Sequence, residues 1–151
     1  MNIVWHYLDK KMAAINALKD YSNMEYIIEH TDEDIATIHE KIESPRSSVP
    51  TGMPNAHNPK AIEDRLVFGI DEIDVLKERY RQALEYMKWF KPAWENLDED
   101  SQFILNEFFV RDITKTEAIL NVSEQLHIER SWVYKKKEDA LRQLTLLLYG
   151  I

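Results

Sequence analysis

Apolar residues recur along most of this chain at steps of three and four. Leu66, Ile70, Ile73, Leu76, Tyr80, Ala83 and Met87 advance by four, three, three, four, three and four, which keeps them on one side of a helix with 3.6 residues per turn. The spacing stays close to a heptad over about three repeats and predicts a helix of roughly 30 residues with coiled-coil character. Upstream, Val4, Leu8, Met12, Ile15 and Leu18 share a face in the same way. Thr31 followed by Asp32, Glu33 and Asp34 reads as a helix start, a threonine cap with acids in the first turn, leading into Ile35, Ile38 and Ile42. Residues 1–43 are therefore expected as one bent helix or two.

Punctuation comes from proline. Pro45, Pro50, Pro54 and Pro59, with Gly52, crowd into "SPRSSVPTGMPNAHNPK", which neither a helix nor a central strand tolerates. Residues 44–59 read as a long connection between two amphipathic segments, which predicts an N-terminal antiparallel helical hairpin over 1–92. The apolar stripe of its second helix either seals the hairpin or receives a second copy of the chain, giving a homodimer through the N-terminal helices. Lys91-Pro92 is expected to end that helix, because proline lacks a donor and disfavours the helical region for the residue before it.

A second, smaller domain is expected over 93–151. Asn96 or Asp98 can cap its first helix, Asp98, Glu99 and Asp100 suit the positive helix end, and Phe103, Ile104, Phe108 and Phe109 supply the apolar side. Thr114 and Glu117 have capping-box spacing before Ala118, Ile119, Val122 and Leu126. A short "HIE" turn follows. The last helix carries Val133, Ala140, Leu141, Leu144 and Leu148 on one stripe, interrupted by Lys137, whose methylenes are expected along the core with the ammonium outside. The fold class is all-α.

Composition changes the picture in one respect. The chain of 151 residues has a net charge of −8, but residues 1–110 hold 12 basic and 21 acidic side chains, whereas 111–151 hold seven and six. The N-terminal part repels phosphate and the C-terminal part can approach it. Within that part, Arg130, Lys135, Lys136 and Lys137 fall in eight positions without a carboxylate. Taking Val133 as inward and turning 100° per residue leaves Ser131, Lys135, Glu138 and Arg142 outward, with Tyr134 on one flank and Trp132 and Lys136 on the other. A basic and aromatic first turn, preceded by a helix and a three-residue turn, is what a helix-turn-helix presents to the major groove.

These residues carry a resemblance. Leu97 to Leu148 resembles the region-four helix-turn-helix of sigma factors. "VSEQLHIERSWVYKKKEDAL" is more similar still to phage late-gene transcriptional regulators of the ArpU and RinA type, through Glu129, Arg130, Val133, Tyr134, Lys136, Lys137, Ala140, Leu141 and Leu144. The turn has His127 where such proteins commonly have glycine, and the cap is Glu129 where serine is usual. The resemblance implies a DNA-binding regulator of phage or prophage origin, acting on promoter DNA and contacting host RNA polymerase. Arg130, Ser131, Tyr134 and Lys135 are then expected at base edges, and Lys115, Trp132, Lys136 and Arg142 at or beside phosphates. A phage small terminase subunit, or a helical interaction module that does not bind DNA, are the alternatives.

Other chemistry is not expected. There are no cysteines, which removes disulfides, thiolate metal sites and a cysteine nucleophile. His6, His30, His39, His57 and His127 include no pair at the four-residue spacing of a zinc protease, and Gly52, Gly69 and Gly150 are isolated, so no phosphate loop forms. Neither a metal, a cofactor nor an enzyme active site is predicted. The N-terminus meets charge too early for a signal peptide, and no run is long enough for a membrane helix, so the expected location is the cytoplasm of a bacterial host.

Overall fold

The computed structural model describes residues 8–43 and 59–150, and these form an all-α protein without strands among the described residues. Five α-helices follow one another: α1 (Lys10–Glu43), α2 (Pro59–Glu95), α3 (Glu99–Leu105), α4 (Lys115–Leu126) and α5 (Arg130–Tyr149), with a single π-helical turn, Asn106–Val110, continuing α3. The expected connection 44–59 lies outside the described residues except for Pro59, which opens α2. No helix of the described residues is long and apolar enough to cross a membrane.

The chain divides into two compact units, between Asn23 and Met24 on α1 and between Glu85 and Tyr86 on α2. The division expected near residue 93 is therefore not where the compact units part. The reason is that the ends of α1 and α2 carry side chains that pack with the C-terminal helices. Ala14, Ala17 and Leu18 of α1, Phe90 and Ala93 of α2, Leu97, Leu105 before the π turn, and Ala140, Leu141, Leu144 and Leu148 of α5 form one buried cluster. Tyr86 stacks on Phe90 at 5.3 Å between ring centroids and donates its hydroxyl to the Ala17 carbonyl. The Trp89 indole N–H donates to the Leu148 carbonyl at 3.1 Å, tying the end of α5 to α2.

In the other unit, Gly69 of α2 meets α1. A Cβ at Gly69 would lie 2.3 Å from Cδ1 of Ile42, so the close approach requires glycine. Ile73 and Ala83 are buried there, while Leu66 and Ile70 of the expected stripe are exposed, the buried face passing through Gly69 instead.

Three further expectations are corrected. First, Thr31 is no cap: α1 is one helix, one of the two forms expected, and Thr31 is buried within it with its hydroxyl donating to the Ile27 carbonyl one turn back. A threonine followed by acids satisfies itself this way as readily as it starts a helix. Second, the inward face of the start of α1 is not Leu8 and Met12, which are about half exposed, but Ala14, Ala17 and Leu18. Small side chains face the bulky Phe90 and Leu141, so packing selects fit over hydrophobicity. Third, α2 passes through Pro92 to Glu95. One turn remains after the proline, where Asn96 satisfies the Pro92 carbonyl from both its backbone N–H at 3.2 Å and its side-chain amide at 2.8 Å, and burial of Phe90 and Ala93 holds the helix across the break. The apolar run after Asp98 also contains a buried acid, Glu107, in the π turn.

Candidate nucleic-acid interface

The pair α4 and α5 is assembled from local signals that the sequence carries in full. Thr114 caps α4 by accepting from the Glu117 N–H at 3.2 Å while the Glu117 carboxylate accepts from the Thr114 N–H at 3.4 Å, the reciprocal capping box. Asp98 caps α3 by accepting from the Ser101 N–H at 3.2 Å. Ile104, Val122 and Val133, from α3, α4 and α5, form a small buried cluster flanked by Phe103, Phe108, Ile119, Leu126 and Ile128. It fixes α5 against α4 with Val133 inward.

The turn between them is three residues long. His127 adopts the left-handed region at φ 54° and ψ 45°, and it is the one described non-glycine residue with positive φ. Its N–H, and that of Ile128 at 3.2 Å, both reach the Ser123 carbonyl, while the Ser123 hydroxyl donates back to the Ile128 carbonyl at 2.6 Å. Histidine thus takes the conformation that glycine would take more easily. Glu129 precedes α5 with no side-chain cap hydrogen bond, so its contribution there is confined to charge at a positive helix end.

Beyond the turn, Arg130, Ser131, Trp132, Tyr134, Lys135 and Lys136 are all exposed and Val133 is fully buried. Four of the expected site residues come together in two pairs. Lys135 Nζ lies 4.9 Å from the centroid of the Trp132 ring, and Lys115 Nζ, from the first residue of α4, lies 5.3 Å from that of Tyr134, both within the range in which a ring face attracts a cation. Arg130 and Lys136 have no carboxylate within ion-pair distance among the described residues. The exposed surface is basic and aromatic, and neither of these two charges is neutralised.

Arg142 stands apart from this group. It lies twelve residues after Arg130, or about 18 Å along the axis, loosely paired with Asp139 at 3.9 Å, and it shares a shallow groove with Lys10 and Lys11 of α1. Lys11 also pairs with Glu138. The outward face of α5 is therefore shared beyond Lys135 by the start of α1, which sequence periodicity within α5 could not reveal.

Two features went unpredicted. Lys137 does not carry its ammonium freely outside: the side chain is 14% exposed and Nζ lies 5.1 Å from the Phe108 ring centroid and 5.7 Å from that of Tyr134. Burial, reinforced by repulsion from Lys115, pulls this ammonium below the usual lysine range. The second is the buried Glu107, whose carboxylate accepts from Arg111 at 2.8 and 3.0 Å and from the Asn121 amide at 3.1 Å, joining the π turn to α4.

No family model, curated protein or solved structure matches the chain. Among the described residues there is also no cluster of three or more potential metal-ligating His, Cys, Asp or Glu side chains.

Proposed function

We propose that the protein is a phage- or prophage-encoded transcriptional regulator that binds promoter DNA through α4, the turn and α5. One observation carries the reading: the first two turns of α5 expose a basic and aromatic surface, Arg130 to Lys136, on a helix fixed by Val133 to its neighbour. That surface suits the major groove, with Arg130, Ser131 and Lys135 toward base edges and Tyr134 beside them. Lys115, Trp132 and Lys136 flank it at the phosphates, and Arg142, separated from them by Glu138 and Asp139, lies beside Lys10 and Lys11.

The acidic unit supports a division of labour. Residues 24–43 and 59–85 hold 14 acids against six bases, so a duplex is repelled from it and directed to α5. Ile62, Leu66 and Ile70 of α2 are all exposed there and lie on one side of the helix, an apolar strip that favours self-association or a contact with host RNA polymerase.

Fluorescence anisotropy on a promoter duplex across a salt series tests the reading. Replacing Lys135 and Lys136 with alanine lowers affinity, and every phosphate interaction removed reduces the slope of log K against log salt by about one. An unchanged slope overturns it. No binding by the unaltered protein at about 50 mM salt favours a protein-interaction module, and a many-copy ring in solution favours a small terminase subunit.

A further inference from the structure

Lys137 is the cation that the proposed interface leaves without a task. Its side chain is largely covered, yet its ammonium has three donors and no hydrogen-bonded acceptor among the described residues; the nearest carboxylate oxygen is that of Glu138 at 4.0 Å, and the other oxygen of Glu138 is held by Lys11. The nitrogen is not sealed off, because no buried side-chain nitrogen or oxygen among the described residues lacks a partner. The rings of Phe108 and Tyr134 compensate part of the missing hydration, and ring faces offer no lone pairs directed at an N–H. Lys115 reaches the same Tyr134 ring from α4. Two ammoniums from different helices thus lie near one aromatic side chain and repel one another, with Glu138 as the carboxylate nearest to Lys137.

We propose that Lys115 and Lys137, set around the Tyr134 ring, form a clamp for one backbone phosphate of the bound duplex. The inference rests on the DNA-binding reading above. A phosphate has enough unesterified oxygen to accept from both ammoniums at once, and its charge offsets the burial and the Lys115 repulsion that together depress Lys137. Tyr134 becomes the platform that holds the two lysines apart and aims them, and Phe108 ties the clamp to the π turn. This phosphate fixes the depth and register of α5 in the groove.

The test uses the full chain with K115Q, K137Q and the double variant, measuring duplex affinity across a salt series and thermal unfolding alongside. Because the two lysines share one phosphate, each single substitution is expected to reduce the salt slope by up to about one and the pair by about one in total, whereas an additive loss of about two means two separate phosphates and overturns the clamp; K137R is expected to restore most of the affinity. Absence of binding by the unaltered protein defeats the DNA reading itself. Binding with an unchanged slope in folded K137Q overturns the clamp alone. Should K137Q not fold, lysine acetylation of the unaltered protein decides: a duplex is expected to protect Lys115 and Lys137 together, relative to Lys41 and Lys60, and equal labelling of Lys137 with and without the duplex overturns the clamp.

Discussion

Ser123 and Ile128 hold the turn between α4 and α5 from both directions, the Ser123 carbonyl accepting from the Ile128 N–H at 3.2 Å and its hydroxyl donating to the Ile128 carbonyl at 2.6 Å. The hydroxyl closes the loop that sets the angle between the helices. Ser123→Ala keeps the backbone bond and removes the other, at a cost of about 1 kcal/mol. Urea unfolding measures that cost, and hydrogen exchange at the amides of residues 127–129 is expected to accelerate. Unaltered exchange there means that backbone bonds alone define the turn.

His127 makes a second prediction about the same turn. In the left-handed region a side chain meets a steric cost that glycine avoids, while glycine gives the unfolded chain more freedom. The two oppose one another, so His127→Gly is expected to raise stability by no more than about 1 kcal/mol. His127→Val, β-branched where φ is 54°, is expected to lower it clearly. Unfolding midpoints in the order Gly, His, Val support this account, and a valine variant as stable as the parent contradicts it.

Much of the C-terminal architecture was legible because its signals are local. The capping box at Thr114 and Glu117, the Asp98 cap and the α5 stripe from Val133 to Leu148 need only neighbouring residues, and the structure has all three. What failed depends on partners distant in the chain. Nothing near Ala14 and Ala17 says that Phe90 will need small neighbours, and nothing near Glu138 announces Lys11. Pro92 and Thr31 misled for a related reason, since both signals hold for an isolated helix and tertiary burial prevailed at each. The candidate interface was legible as a set of exposed residues on α5. The pairing of Lys115 with Tyr134 was not, because Lys115 reaches that ring from α4.

Glu107 supplies a prediction that bears on the π turn. The residue is 5% exposed and its carboxylate takes both Arg111 and Asn121, which holds open the wide turn closed by the Arg111 N–H on the Asn106 carbonyl at 2.9 Å. Glu107→Gln preserves shape but turns an amide donor toward groups that are themselves donors. Half-exposed Arg111 keeps its hydration, so the expected loss is about 1–3 kcal/mol rather than that of a fully buried pair. Calorimetry of the variant checks the magnitude. Stability equal to the parent shows that the turn persists without this anchor.

Tyr86 sets the response to alkali. Burial, with the neighbouring Asp20, Tyr21 and Tyr149, raises its phenol well above the ordinary value of 10.0, and its hydroxyl donates to the Ala17 carbonyl. The unfolded chain therefore releases this proton near pH 10 while the folded chain retains it, so stability falls as pH rises from about 10. Lys137 contributes with the opposite sign, because its depressed value penalises the folded ammonium at lower pH and that penalty is relieved as pH rises toward the ordinary lysine value of 10.5. Tyr86→Phe isolates the phenol. At pH 7 it is expected to cost about 1 kcal/mol for the missing hydrogen bond, and the gap between variant and parent should narrow above pH 10, because only the parent still has this proton to lose on unfolding. Tyr149, also raised by burial, leaves the variant some residual sensitivity. Urea midpoints from pH 7 to 11 follow the gap, and two curves that remain parallel throughout exclude Tyr86 as its source.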